Sequence, residues 1–199
     1  MKEITITKKL YNAKELNEMF PKAFEKAIMD NANNQWSCIY DWWKDDFKQL
    51  LSLVGIDLEK MYYSGFGSQG DGLCFDATFY YEPNALEKVK EYAPVDTKLF
   101  PLIETYIALQ KEQEFKGKVK QSGYGCHSGC TSFDISSIDS DDGVSNWTAI
   151  VSSVKAFMDY GYEKLEEQWD AINEDEYFIG ECDDLGIWFN DVGNIVEED

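Results

Sequence analysis

Arginine is absent from this chain of 199 residues, and histidine occurs only once. Arginine is the side chain that proteins favour for bidentate contacts to phosphate and to guanine. The 18 lysines stand against 38 acidic residues, which gives a formal net charge of −20 at pH 7. A surface of that sign repels nucleic acid and attracts basic protein surfaces. We therefore expect no direct binding of nucleic acid.

Long apolar runs are also absent, since no stretch of the sequence approaches 18 uninterrupted apolar residues. The first residues, MKEITITKKLYNAKEL, have the pattern of neither a signal peptide nor a membrane anchor. The five cysteines are an odd number, which is typical of reduced thiols in a cytosolic protein. We expect a cytoplasmic protein with no membrane partner, and the sequence leaves its oligomeric state open.

The negative charge is concentrated in the last third of the chain. Residues 1–133 hold 16 lysines and 19 acidic residues, whereas residues 134–199 hold 2 lysines and 19 acidic residues. Apolar residues make up 44% and aromatic residues 15% of the chain, which is far more than a disordered acidic tail contains. We predict one α+β domain over residues 1–199, with a strongly acidic helical portion at about 134–199.

The hydrophobic pattern predicts two β-hairpins flanked by amphipathic helices, and hence an antiparallel sheet. Pro21 is expected to open a new helix, and Gly55 to end the strong amphipathic helix that precedes it. The other predicted elements are a strand at 2–8, a helical region from 13 to 27, hairpins around 60–81 and 115–138, helices at about 84–92, 96–114, 146–173 and 176–185, a turn at 139–143, and a strand-like tail from 187 to 196.

The predicted helix at 146–173 has two contrasting faces. At 100° per residue, its apolar residues fall within about 60° of one another; they are Trp147, Val151, Val154, Met158, Leu165, Trp169 and Ile172. The opposite side carries an acidic stripe: Asp159, Glu163, Glu166, Asp170 and Glu174. Acids on a solvent face are ordinary, but helices usually intersperse lysine with them. Because residues 159–199 contain only Lys164, we predict that the stripe binds a basic partner.

Two short motifs suggest chemistry, and each has a simpler interpretation. Residues 65–70 satisfy the G-x-G-x-x-G pattern of dinucleotide sites, but they lead into a predicted strand instead of a helix, which favours a hairpin loop. Cys126, His127 and Cys130 are three potential zinc ligands, with Cys74 as a conceivable fourth, but incidental thiols are the simpler explanation. The closeness of these residues in sequence does not indicate a catalytic dyad. We expect no enzyme activity, no cofactor and no metal.

Several segments together resemble a family of bacteriophage-encoded proteins. The segments are the hairpin YSGFGSQGDGLCF at 63–75, the His127-Ser128 element before a strand, the Trp42-Trp43 helix that runs into Gly55, and the closing FNDVG at 189–193. The resemblance implies a phage setting and an unassigned activity that is sometimes described as antitoxin-like, and it transfers no catalytic residue. This chain departs from that pattern in Cys126 and Cys130, and in the acids that replace basic residues in its C-terminal helices.

These observations lead to three functional hypotheses. The first is a phage counter-defence inhibitor, of anti-CRISPR or anti-restriction type, acting in the host bacterial cytoplasm. Its acidic stripe would mimic nucleic acid and bind the basic surface of a host nuclease or nucleic-acid-binding effector. The second is an antitoxin-like protein that binds a toxin through Ser68, Gln69, Asp71 and His127 on the two hairpins. The third is a small metal- or thiol-dependent enzyme centred on Cys126, His127 and Cys130.

Overall fold

The computed structural model describes residues 9–112, 114–137 and 146–196, and within them it has the predicted α+β architecture. The predicted strand at 2–8 and the predicted turn at 139–143 lie outside the described residues. The elements in chain order are α1 (Ala13–Met19), α2 (Pro21–Leu53), β1 (Ile56–Tyr63), β2 (Leu73–Phe79), α3 (Ala85–Tyr92), α4 (Leu99–Glu112), β3 (Phe115–Gln121), β4 (Thr131–Ser137), α5 (Trp147–Ile172) and α6 (Asp175–Leu185).

The four strands form one antiparallel sheet in the order β1-β2-β3-β4. Strands β1 and β2 are the first predicted hairpin, and β3 and β4 are the second. The β1–β2 register shifts between Leu58 and Lys60, which marks a β-bulge in the edge strand. The two hairpins join where Ala77–Phe79 of β2 pairs with Gly117–Val119 of β3.

The predicted helix boundaries at Pro21 and Gly55 are confirmed. Pro21 is the first residue of α2, where its missing N–H costs nothing. Gly55 follows α2 with φ of 79°, and its carbonyl accepts a hydrogen bond from Tyr80 N at 2.9 Å. A β-carbon at Gly55 would lie 2.5 Å from the Tyr80 carbonyl oxygen, so glycine is required here for both backbone angle and space.

The chain packs as two compact units, whose limits fall within α2 and α5. One unit comprises the described parts of 1–41 and 167–199, and the other comprises 42–166. The prediction of a single domain over 1–199 stays a prediction.

The first unit has its own small core. Helix α1 begins with a capping box between Asn12 and Glu15, and Leu16 on this helix is fully buried. The ring of Phe178 on α6 contacts Phe24 edge-to-face, with ring centroids 5.6 Å apart. Phe189 completes this core and exchanges two backbone hydrogen bonds of 2.9 Å with Tyr11. The predicted tail therefore forms isolated β-bridges within this unit.

The second unit buries one face of the sheet against helices. Tyr106 on α4 lies edge-on to Phe115 of β3 and to Phe157 of α5, at centroid distances of 5.9 and 5.7 Å. Gly161 on α5 lets the Phe47 ring of α2 approach the helix backbone, since a β-carbon there would lie 2.6 Å from the ring. These contacts hold α5 beside the sheet. No helix within the described ranges is long and apolar enough to cross a membrane.

Candidate functional site

The two hairpin loops lie at the same end of the sheet, because β2 and β3 are antiparallel neighbours. Asp76 of β2 ties the hairpins together here. Its carboxylate accepts hydrogen bonds from the Tyr62 hydroxyl at 3.0 Å and from Gln121 N at 2.7 Å. The loops themselves touch at Gly72, where a β-carbon would lie 2.6 Å from the β-carbon of His127. The structure thus brings the SQGDG loop and His127 together.

Glycine residues surround the imidazole of His127. A β-carbon at Gly129 would lie 2.8 Å from the ring, and one at Gly125 would lie 3.3 Å from it. With Gly72 on the other loop, three glycines therefore make room for one half-buried side chain. Adding a methyl group at such positions forces neighbouring atoms to move.

His127 also contacts a thiol, and the prediction that its neighbouring cysteines are incidental stays a prediction. The Cys130 Sγ lies 3.3 Å from His127 Nε2, and Gly129 N donates a hydrogen bond to Nδ1 at 3.1 Å. The backbone turn brings these side chains together, since Cys130 N also donates to the His127 carbonyl at 2.8 Å. Residues three apart in sequence can therefore form a contact that spacing did not indicate.

Cys74 extends this thiol cluster from the neighbouring strand. Burial raises the pKa of the Cys74 thiol to about 12, and the nearby Cys126 and Cys130 thiols and the Asp76 carboxylate add to the effect. Cys74 is therefore a protonated thiol at neutral pH. Across the described part of the chain, no group of three or more histidine, cysteine and acidic side chains is arranged to hold a metal ion.

Within the SQGDG loop, the predicted partner-binding residues differ in their surroundings. Ser68 and Gln69 are exposed, whereas Asp71 is half-buried. The Asp71 carboxylate accepts a hydrogen bond from Ser68 N at 2.7 Å, and Asp71 N donates to the Ser68 carbonyl at 3.1 Å. Asp71 thus shapes the loop, as aspartate often does in turns. Gln69 is the side chain that the loop presents to solvent.

An aromatic ladder links this loop to helix α5, and the sequence analysis missed it. The Phe66 ring stacks between Tyr63 and Tyr162, at centroid distances of 6.2 and 5.7 Å. The Tyr162 hydroxyl donates to the Gly65 carbonyl at 3.0 Å. Tyr162 lies among the acids of α5, and no pattern in the sequence indicates that it contacts Gly65, which lies 97 residues earlier.

The ladder places part of the acidic stripe beside the loop. Burial raises the pKa of the Tyr162 hydroxyl above its ordinary value of 10.0, and the charges of Glu166 and Asp71 raise it further. Both carboxylates therefore lie close to this hydroxyl. Glu166 is half-buried here, and it connects the stripe with the SQGDG loop.

Helix α5 carries four of the five predicted stripe residues. Asp159, Glu163 and Asp170 are exposed on it, together with the half-buried Glu166. Glu163 pairs with Lys98, and within the described residues Asp159, Glu166 and Asp170 have no cation within 4.0 Å.

Two predictions about this helix are wrong. Glu174 does not continue the stripe, because α5 ends at Ile172 and Glu174 has extended backbone angles of −73° and 135° at the N-cap of α6. Asn173 terminates the helix, since its side-chain amide donates to the Trp169 carbonyl at 2.7 Å. Trp147 was assigned to the apolar face of this helix, but it is 46% exposed at the first residue of α5.

Several acids occupy helix ends where the backbone dipole disfavours them. A helix C-terminus carries partial negative charge, so a carboxylate in the last turn is repelled. Asp170 lies in the last turn of α5, and Asp183 and Asp184 lie in the last turn of α6, where neither helix has a basic residue. From Glu166 to Asp184 the sequence has nine acids and no lysine. Self-repulsion among these carboxylates lowers the stability of the folded chain.

Comparison with known proteins gives one match. No curated protein and no solved structure is detectably similar to this chain. The pattern of a domain of unknown function, DUF8835, matches residues 39–175, which is more than half of the chain and includes the whole of the 42–166 unit. The match covers the sheet, both hairpin loops and α5, and ends at the first residue of α6. The chain therefore belongs to the DUF8835 family.

Proposed function

We propose that this protein is a phage counter-defence inhibitor, of anti-CRISPR or anti-restriction type, that acts in the host bacterial cytoplasm. It binds the basic surface of a host nuclease or nucleic-acid-binding effector, without catalysis and without a cofactor. The observation that carries the proposal is the acidic face of α5, where Asp159, Glu166 and Asp170 have no cationic partner among the described residues.

The position of these acids supports binding over mere solubility. Solubility needs net charge, but it does not need carboxylates in the last turn of a helix or nine acids without one lysine. Self-repulsion in such a segment is relieved when a basic surface covers it. The same field accelerates association with that surface and makes binding sensitive to salt.

The SQGDG loop adds contact chemistry next to the charge. Phe66 and Tyr162 provide stacked aromatic rings beside Glu166, and Gln69 provides an exposed amide. Lysine and arginine side chains bind carboxylates through charge and aromatic faces through cation–π contact. A basic nucleic-acid-binding groove offers both kinds of side chain.

The proposal is tested by expressing the protein in bacteria that carry one defined CRISPR or restriction system each, and by challenging them with a phage that the system blocks. We expect plaque formation to be restored against at least one system. The triple variant Asp159→Lys, Glu166→Lys and Asp170→Lys should lose this protection, because it reverses the charge of the binding face.

A charge-matched variant serves as the control. Glu87→Lys, Glu91→Lys and Glu104→Lys change the net charge equally at exposed sites on α3 and α4. This control should keep protection. The proposal would be contradicted if plaque formation were restored with none of the systems. It would also be contradicted if both triple variants lost protection equally.

A second candidate function, an antitoxin-like binder, is favoured by the contact between the two hairpin loops. Gly72 packs on His127, so the loop that carries the predicted residues Ser68, Gln69 and Asp71 adjoins the loop of the predicted residue His127. Of these, Gln69 is exposed and can be replaced without disturbing the loop. If Gln69→Lys abolishes the activity of the protein while the α5 triple variant retains it, this second function replaces the first.

A further inference from the structure

The thiol cluster at the hairpin loops lies apart in sequence from the acidic residues on which the proposed function rests. It contains Cys126 and Cys130 on one loop and Cys74 on β2, with His127 between the two loop cysteines. All five cysteines of the chain are free thiols. The cluster therefore combines free thiols with an imidazole, which can activate a neighbouring sulfur.

The hydrogen bonds of His127 determine which ring nitrogen carries the proton. Gly129 N donates to Nδ1 at 3.1 Å, so Nδ1 is an acceptor and bears no hydrogen. A neutral imidazole then carries its hydrogen on Nε2. Nε2 lies 3.3 Å from the Cys130 Sγ, so it directs an N–H donor at that sulfur.

An N–H donor aimed at sulfur favours nucleophilic chemistry there. The thiolate is the nucleophilic form of cysteine, and a hydrogen bond to a charged acceptor is stronger than one to a neutral acceptor. Cys130 is only partly buried, so a small reagent can reach it. Cys74, by contrast, is fully buried and remains a thiol, because burial raises its pKa to about 12.

The same loop carries a second thiol, Cys126, four residues before Cys130. A β-carbon at Gly125 would lie 2.6 Å from the Cys130 Sγ, so this sulfur sits directly over the backbone of Gly125. Cys126 is the next residue in the chain, and it is partly exposed like Cys130. A glycine at position 125 is what allows the sulfur to lie there.

We propose that Cys130 is a reactive thiol positioned by His127, that hydrogen peroxide or a related hydroperoxide oxidises it, and that Cys126 then resolves the product as a disulfide. In the first step the Cys130 thiolate attacks one peroxide oxygen, which breaks the O–O bond and gives the sulfenic acid and hydroxide. In the second step the Cys126 thiolate attacks the Cys130 sulfur, forms the S–S bond and releases hydroxide, which takes up a proton to give water. The two thiols lose two electrons in total, and the peroxide is reduced.

Oxidation of Cys130 also affects the SQGDG loop. Disulfide formation turns the Cys130 sulfur toward Cys126, so the contact with Nε2 is lost. His127 packs against Gly72 at the end of the SQGDG loop, so that loop has to adjust when the imidazole moves. The thiol site contains none of the acidic residues, so the tests of its reactivity do not depend on the proposed counter-defence function.

The first test compares alkylation rates within one protein. The native chain is treated with limiting iodoacetamide, and peptide mass spectrometry follows Cys130 and Cys38, which is the more exposed thiol on α2. A passive Cys130 would react more slowly than Cys38. We expect it to react faster by about tenfold, the order that one charge-assisted hydrogen bond gives. A slower Cys130 overturns the proposal without any variant.

Variants of His127 separate activation from simple access. His127→Ala should slow alkylation of Cys130 to below that of Cys38, while Cys38 keeps its rate. His127→Gln retains an N–H donor and should restore part of the rate. If Cys130 reacts equally fast in the alanine variant, His127 does not activate it and the proposal fails.

The second test follows oxidation. Peroxide treatment should produce a Cys126–Cys130 disulfide that mass mapping identifies and that a thiol reductant reverses. In Cys126→Ser the sulfenic acid should persist on Cys130 and be trapped by dimedone, whereas Cys38→Ser should leave the disulfide yield unchanged. Oxidation of Cys38 ahead of Cys130, or disulfides formed only between chains, would overturn the proposal.

Discussion

Three glycines pack so closely around His127 that a β-carbon on any of them would crowd its neighbours. The segment from Glu166 to Asp184, by contrast, contains nine acidic residues and no lysine. The hairpin loops are built by close contact, with Gly72 of one loop against His127 of the other. The acidic segment is built from unbalanced charge, with carboxylates in the last turns of α5 and α6. Close packing therefore distinguishes the first region, and unbalanced charge distinguishes the second.

The difference matters for how each region can act. Steric fit falls off within tenths of an ångström, so the loops can hold a side chain such as His127 in one position. Electrostatic attraction acts over about 8 Å at physiological salt, so the acidic segment can attract a partner before contact. The positioned thiol that we propose needs the first property, and the docking surface that we propose needs the second.

Glycine substitutions should show the largest difference in stability between the two regions. Gly72→Ala places a methyl group 2.6 Å from the β-carbon and 2.8 Å from the α-carbon of His127. We expect it to lower the free energy of unfolding by about 1–3 kcal/mol, as overpacking does. Gly180→Ala on α6 meets open space, and should raise that free energy by about 0.5–1 kcal/mol. Urea denaturation measures the free energy of unfolding of both variants. Similar changes in the two would contradict the difference between the regions.

Alkaline pH should weaken both regions through a buried thiol in each. Burial raises the pKa of Cys74 and of Cys182 from 9.0 to about 12. Neighbouring thiols raise the pKa of Cys74 further, and the charges of Glu181 and Asp183 raise that of Cys182. Above pH 9 the unfolded chain loses these protons and the folded chain keeps them. The free energy of unfolding is therefore flat below pH 9 and falls between pH 9 and 12, by about 1 kcal/mol per thiol at pH 10.

Alanine variants identify the source of that pH dependence. Cys74→Ala and Cys182→Ala should each flatten the fall in stability between pH 9 and 11, as measured by urea denaturation at several pH values. An unchanged slope in the double variant would show that the two thiols are not its source.

Charge reversal at the two ends of α6 should give the smallest effects, with opposite signs. Asp184→Lys replaces an acid in the last turn by a cation, and should raise the free energy of unfolding by about 0.3–1 kcal/mol. Glu176→Lys makes the same change of charge in the first turn, and should lower it by a similar amount. Both shifts should shrink in high salt, and thermal unfolding at two salt concentrations measures them. Equal stabilisation by both variants would point to net charge instead of the helix dipole.

Much of the fold could be predicted because its signals are local. Pro21 and Gly55 mark helix ends through their own backbone chemistry, and both hairpins follow from apolar runs around glycine-rich turns. The end of α5 could not be predicted to the residue, because it depends on the side chain of Asn173 capping the Trp169 carbonyl.

The site was harder to predict because it depends on pairs of distant residues. Gln69 and His127 were identified as candidates from the two hairpin motifs, but the contact between their loops follows from the antiparallel pairing of β2 with β3. The stacking of Phe66 on Tyr162 joins residues far apart in sequence, and a single sequence has no pattern that pairs them. The contact of Cys130 with His127 needed the turn geometry, which three nearby glycines permit.

The short pairing between β2 and β3 bears on how the second unit assembles. Each hairpin closes over its own turn along strands of seven residues or more, whereas the pairing of β2 with β3 joins Ala77–Phe79 to Gly117–Val119, three residues on each strand. Helices α3 and α4 lie between them in the chain, so this pairing closes a much longer loop. The hairpins are therefore expected to be separate cooperative folding units, with the seam between them the last to close and the first to open.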